Sequence, residues 1–250
     1  MQDIYIGDEG KGFPLVLVHG FLGSSRMWES QIDFFKDYFR VITPDLPGYG
    51  KSNQVKSHNS IQSIANLLLN CLEEKKIDKF YLLGHSMGGM IVQEMAKKGG
   101  DKISKLVCYS TGPRGEMPGR FETVDQSREN FKKKGLEITA KNIAKTWFIK
   151  GEDAKYFDIC INAGKQTSME TADNSLVAIK NWNGVDTLKN IKNETLIVWG
   201  DQDKSYNLEQ IQTLENNIEN SKLIIFKNCA HNVHLEQPDQ FNKTIKNFLL

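Results

Sequence analysis

No stretch of the sequence approaches the roughly 18 apolar residues that a membrane-crossing helix needs, which argues against an integral helical membrane protein. The start, Met1-Gln2-Asp3-Ile4-Tyr5, lacks the basic segment, apolar core and small-residue cleavage site of a secretory leader, so cytoplasmic residence is the expectation. Cysteine is scarce. Cys71, Cys108, Cys160 and Cys229 lie 37, 52 and 69 residues apart, without the close pairs that make a zinc site or a redox dithiol, and reduced thiols are expected. An excess of charge of one sign is missing too. Lysine and arginine total 32 against 31 aspartate and glutamate, which removes the broad basic footprint that nucleic acid or an anionic membrane would require. Internal repeats and low-complexity tracts are absent. The partner expected is therefore a small molecule, with no nucleic acid, membrane, metal or cofactor, and the chain as monomer or homodimer.

What is present is alternation. Strands are predicted at 2–6, 14–19, 39–43, 79–83, 103–109, 194–199 and 222–226. Helical patterns fall at 25–37, 60–76, 87–98, 205–216 and 237–249, the last with Phe241, Ile245 and Phe248 on one face. Apolar strands alternating with helices specify an α/β fold, a mostly parallel sheet flanked by helices. Its 250 residues suffice to bury about three quarters of the unfolded surface. The alternation stops between Gly112 and Val185, where helical patterns continue without a convincing strand. This stretch is expected to be a helical cap, 112–185, inserted after the sixth strand into a core formed by 1–111 and 186–250.

Chemistry concentrates at strand ends. Gly84-His85-Ser86-Met87-Gly88-Gly89 joins the run Phe80-Tyr81-Leu82-Leu83 to a helix beginning Met90-Ile91-Val92, so Ser86 occupies a sharp strand-to-helix turn with free N–H groups behind it. A serine hydroxyl is a weak nucleophile by itself and requires a base, which a carboxylate must orient. Of five histidines, His58 lies in a polar loop or helix cap, His85 is locked beside Ser86, and His19 ends a strand where its ring can brace the following loop. His231 and His234 follow the strand Leu223-Ile224-Ile225-Phe226. His231 is the candidate base, and His234 is expected as a partly exposed helix-start residue. The strand Thr195-Leu196-Ile197-Val198-Trp199 runs into Gly200-Asp201-Gln202-Asp203. Asp201 is expected to bond its own backbone and Asp203 to reach the imidazole. Cys229, two residues before His231, is assigned to packing. An oxyanion requires donors, and the turn His19-Gly20-Phe21 offers the Phe21 N–H opposite the Met87 N–H.

These segments, with Pro44-Asp45-Leu46-Pro47-Gly48-Tyr49-Gly50-Lys51-Ser52 and His231 through Pro238, resemble the α/β-hydrolase superfamily in its cap-bearing serine-hydrolase branch, and they span nearly the whole chain. The resemblance implies an α/β-hydrolase fold, Ser86 as nucleophile, Asp203 as acid, His231 as base, and Phe21 with Met87 as oxyanion donors. It extends to carboxylesterases, enol-lactonases, carbon-carbon hydrolases of diketone acids, haloperoxidase-like esterases and hormone receptors. Haloalkane dehalogenases and epoxide hydrolases of the superfamily place an aspartate where this chain has Ser86, and lipases with a triple-glycine loop differ at Gly20-Phe21.

The expected function is cleavage of a small carboxylic ester or lactone through an acyl-enzyme. Carbon-carbon bond hydrolysis and slow-turnover ligand reception are the alternatives. Trp28, Met90, Trp147 and Phe148 are candidate pocket residues, with Met169 beside them, while Arg114, Arg120 and Arg128 are candidates to anchor a substrate carboxylate.

Overall fold

The computed structural model describes residues 3–116 and 118–250. In chain order the sheet is formed by β1 (Ile6–Gly10), β2 (Pro14–Val18), β3 (Arg40–Pro44), β4 (Phe80–His85), β5 (Ile103–Tyr109), β6 (Glu194–Gly200) and β7 (Ser221–Phe226). Their spatial order is β1-β3-β2-β4-β5-β6-β7, with β1 antiparallel to β3 and all other pairs parallel. The helices are α1 (Glu29–Phe35), α2 (Ile61–Glu74), α3 (Met87–Gly99), α4 (Val124–Lys134), α5 (Leu136–Lys145), α6 (Phe157–Lys165), α7 (Met169–Asn181), α8 (Leu208–Asn217), α9 (Val233–Glu236) and α10 (Pro238–Leu249).

Period-two alternation divides each central strand between two cores. Leu15, Leu17, Val41, Leu83, Val107, Leu196 and Val198 pack with Phe35 of α1 and with Phe241, Ile245 and Leu249 of α10. Val16, Val18, Ile42, Leu82, Leu106 and Ile197 face the other way, onto Leu68 of α2, Ile91 and Met95 of α3 and Leu214 of α8. Each such side chain contributes about 1.5–3 kcal/mol when fully removed from water, so the two layers together fix the strand register.

Two expectations fail here. The first strand is not 2–6 but Ile6–Gly10; Gln2 lies outside the described residues. Tyr5 is tied to the turn after β3 instead, its N–H donating to Ser52 Oγ at 2.8 Å and its carbonyl accepting from Asp45 N–H. The real strand is polar because it is an edge, and its Asp8 pairs with Arg40 across the ladder at 2.6 Å. The inserted stretch follows β5, the fifth strand rather than the sixth: the chain leaves the sheet at Tyr109 and returns at Glu194 after α4, α5, α6 and α7.

Those four helices are joined to loops at the carboxyl ends of several strands. Phe131 of α4 meets the Phe21 ring edge-on at 6.2 Å, and Ser175 of α7 is bonded to the Tyr49 hydroxyl at 2.8 Å. Trp147 O accepts from Asn232 N–H at 3.1 Å, and Phe121 N–H donates to Lys204 O at 3.0 Å. Trp182, just past α7, donates its indole N–H to the buried Glu94 of α3 at 2.7 Å.

Candidate active site

Ser86 sits between β4 and α3 with φ 58° and ψ −119°, a conformation that an L-residue holds only under constraint. The constraint is steric. A Cβ on Gly88 would lie 2.4 Å from Val18 O and one on Gly84 would lie 2.3 Å from Gly88 O, so α3 can back directly onto β2 and β4. The turn is further pinned by Ser86 N–H to Tyr109 O at 2.9 Å and by Thr111 Oγ1 to Ser86 O at 2.8 Å. Ser86 is half-buried among buried neighbours.

His231 is 2% exposed, and its Nδ1 lies 2.9 Å from Oδ2 of Asp203, whose side chain is fully buried. Asp203 Oδ1 accepts from the Ser205 and Tyr206 N–H groups at 2.7 and 3.3 Å. The carboxylate is thereby oriented by its own loop, and a proton held on Nδ1 leaves Nε2 as the basic nitrogen. Among the described residues no hydrogen bond closes from Ser86 Oγ to His231.

Asp201 departs from expectation. Rather than bonding its own turn it accepts the Asn228 N–H at 2.8 Å, tying the acid loop to the base loop. The self-bonding pattern expected of it belongs to Asp203, which satisfies backbone and imidazole with different oxygens.

The Phe21 and Met87 N–H groups donate to no protein group among the described residues. Gly20 approaches so closely that a Cβ there would meet Ser86 Cβ at 2.9 Å. His19 braces this loop with both ring nitrogens, Nδ1 against Gly20 O at 2.8 Å and Nε2 accepting Leu46 N–H at 3.0 Å. Burial pushes its pKa below the ordinary histidine value.

His234 is not partly exposed but fully buried. Its backbone N–H and Nδ1 both meet the Tyr109 hydroxyl, at 3.0 and 2.8 Å, and that hydroxyl donates to the His231 carbonyl at 3.2 Å. His85 Nε2 reaches the same carbonyl at 3.2 Å. Burial, then the neighbouring His231, pushes His234 down to about 3; burial also holds His85 well below its usual range. Both rings are neutral struts behind the base. Trp28, a candidate pocket residue, belongs with them: its ring lies 4.7 Å from His234 in the core shared with α1 and α10. The alternation of β5 turns Tyr109 to that side, and His234 and Trp28 pack there with it.

A family model for the alpha/beta hydrolase fold matches residues 14–238. The chain belongs to that family. Its curated relatives include the pimeloyl-[acyl-carrier protein] methyl ester esterase of Legionella pneumophila, 28% identical over 99% of this chain and 100% of that protein. Another is the 2-hydroxy-6-oxononadienedioate/2-hydroxy-6-oxononatrienedioate hydrolase of Escherichia coli, 29% identical over 98% and 90%. Among solved structures the bromoperoxidase of Bacillus anthracis superposes with a TM-score of 0.91 at 26% identity, covering 98% of this chain and 95% of that one.

The remaining candidates of this α/β-hydrolase chain are dispersed. Met90 is fully buried in α3, and the Trp147 ring lies 6.1 Å from that of His231. Phe148 packs on Phe157 at 6.2 Å and lines a cavity of about 490 Å³ with Tyr156, Leu235 and Pro238. Met169 is 40% exposed at the start of α7. Arg128 is held by a two-pronged contact with Asp173 at 2.7 and 3.1 Å, so it is not free for a substrate. Arg114 forms a backbone bridge to Asn183. The Arg120 guanidinium donates to Glu122 O and Ser127 Oγ, and burial lowers its pKa. Cys229 is buried and its thiol is pushed up to about 12, the state of a packing cysteine.

One residue at the site carries no signal in the sequence. Tyr206, three residues after Asp203, stacks on His231 with ring centroids 5.8 Å apart and planes 15° from parallel. No local pattern marks it, because its significance lies in what the fold brings beside it.

Proposed function

We propose that the chain is a serine hydrolase of a small carboxylic ester or lactone, working by two-step acyl transfer. The observation that carries this reading is the buried His231–Asp203 pair, together with a strained Ser86 and two undonated N–H groups, at Phe21 and Met87, in the adjoining turns. In the first step His231 Nε2 takes the Ser86 proton as Oγ attacks the carbonyl carbon, and the carbonyl electron pair moves to an oxyanion received by the Phe21 and Met87 N–H groups. Collapse expels the leaving alkoxide, which takes the proton from His231. Water, deprotonated by the same imidazole, then attacks the acyl ester; Ser86 regains its proton and the acid leaves. Asp203 stays ionised and holds the Nδ1–H tautomer throughout. Residues 112–185 act as the cap of this site, and the oxononadienedioate named for the Escherichia coli relative supports a small acyl compound as substrate.

Carbon-carbon hydrolysis of a diketone acid is the second reading. It is favoured by Arg120, whose guanidinium donates to a backbone carbonyl and a hydroxyl and whose segment is bonded to the acid loop at Lys204.

The test is hydrolysis of p-nitrophenyl acetate, butyrate and octanoate by the wild type and Ser86→Ala. Turnover that falls by orders of magnitude in the variant, with unchanged thermal unfolding, is expected. Activity surviving in Ser86→Ala would remove the serine from its role. A folded wild type inert to all three but active on a diketone acid would transfer the assignment to carbon-carbon cleavage.

A further inference from the structure

Tyr206 touches every member of the proposed triad. Its N–H donates to Asp203 Oδ1 at 3.3 Å, its ring lies nearly parallel over His231, and its hydroxyl lies near the Ser86 and Thr111 side chains. Little freedom is left to it. The backbone is fixed by Trp199 Nε1 donating to Tyr206 O at 3.0 Å, and the next residue, Asn207, caps α8 through Oδ1. A Cβ on Gly112 would stand 3.0 Å from the Tyr206 ring, so the glycine makes room for it. The residue as a whole is 3% exposed. Burial holds the phenol above the ordinary tyrosine range, so it keeps its proton at neutral pH and is a donor.

A ring needed only for packing over His231 would call for no hydroxyl at that position. A phenol whose ring stacks on His231 and whose hydroxyl lies near the Ser86 side chain is placed beside the path of the leaving-group oxygen, since that oxygen has to reach His231 to be protonated. We propose that Tyr206 is a fourth catalytic residue, whose hydroxyl donates to the leaving-group oxygen as the tetrahedral intermediate collapses. No proton leaves the phenol. His231 supplies the proton that the alkoxide takes, and the Tyr206 hydrogen bond stabilises the negative charge before that transfer is complete.

This inference rests on the serine-hydrolase reading, and its signature is a dependence on the leaving group. Nitrophenolate leaves readily without help, whereas an alkoxide does not. The experiment compares ethyl butyrate with p-nitrophenyl butyrate for the wild type, Ser86→Ala, Tyr206→Phe and Tyr206→Leu, with thermal melts as a folding check. Tyr206→Phe retains the stacked ring, and it is expected to lose about 10- to 100-fold in kcat on the ethyl ester. The same variant should lose less than a third as much on the nitrophenyl ester, with KM little changed on both. Tyr206→Leu, lacking ring and hydroxyl, should be worse on both esters. Wild-type rates for Tyr206→Phe on both, or an equal loss on both, would overturn the leaving-group role while the Ser86 dependence stood. A wild type without Ser86-dependent turnover on either ester would overturn the parent reading and this inference together.

Discussion

Asp201 and Asp203 share one turn, yet their carboxylates point to different tasks: Asp203 holds the imidazole, and Asp201 ties down the base loop through Asn228. Asp203→Asn presents an amide to Nδ1 and favours the wrong tautomer, so kcat should fall by about 10³- to 10⁴-fold with the fold intact. Asp201→Asn weakens one loop contact, which costs on the order of 1 kcal/mol in stability and leaves most of the turnover. Steady-state kinetics with urea melts on both variants checks this; a dead Asp201→Asn beside an active Asp203→Asn would reverse the assignment. The strand-end loops that hold Ser86, Asp203 and His231 were legible because each follows a predicted strand and a parallel sheet gathers such ends along one edge, while the catalytic roles stay a proposal. Tyr206, Tyr109 and the buried state of His234 were not. Their roles come from neighbours between about 90 and 130 positions away or from ring stacking, and neither leaves a periodic trace.

Among the elements, β4 and α3 are bound most tightly to function, since the strain at Ser86 persists only while α3 is held against β2 and β4. The contact at Gly88 is to backbone: a methyl group there would stand 2.4 Å from Val18 O and 2.6 Å from His19 O, and neither neighbour can rotate away. Gly88→Ala should therefore shift α3, lower stability by about 1–3 kcal/mol and reduce turnover more than stability alone explains, because Ser86 and the Met87 N–H move with the helix. Unfolding midpoints and kcat measured together decide it; wild-type values for both would mean that the close approach is not what holds the elbow. The interior strands were readable as apolar runs because both their faces are covered. Strand β1 was misplaced because it is an edge, with Asp8 and Glu9 in solvent, and Ile4 beside it carries the apolar signal into a segment that packs without pairing. The helices α4 to α7 were legible as helical but not in their docking. That depends on single contacts such as Tyr49 with Ser175 and Trp182 with Glu94, which no spacing encodes.

At the scale of the whole molecule, the mostly parallel sheet and its two cores followed from the alternation of strands and helices, whereas the histidines buried within them set a property that the near-neutral composition conceals. His19, His85 and His234 are enclosed, and burial lowers the pKa of each, to about 3 for His234. In the unfolded chain the same groups titrate near the ordinary value of about 6.5. Above that pH both states are neutral and the full stability is present. Below it the unfolded chain binds protons that the folded chain refuses, so stability falls by up to about 1.4 kcal/mol per pH unit for each such histidine. The loss continues until the folded groups protonate, which for His234 is near pH 3. Glu236, raised by burial, opposes this by at most one proton, and the lowered carboxyls of Asp8 and Asp173 add their loss only at lower pH. The window from about pH 6.5 to 4.5 therefore belongs to the histidines. Urea midpoints at pH 7.5, 6.0 and 5.0 should drop progressively at an unchanged denaturant slope, with activity vanishing as the structure does. A midpoint that is constant or rises between pH 7.5 and 5.0 would mean that the three imidazoles are protonated in the folded protein, and would refute their role as neutral struts behind His231.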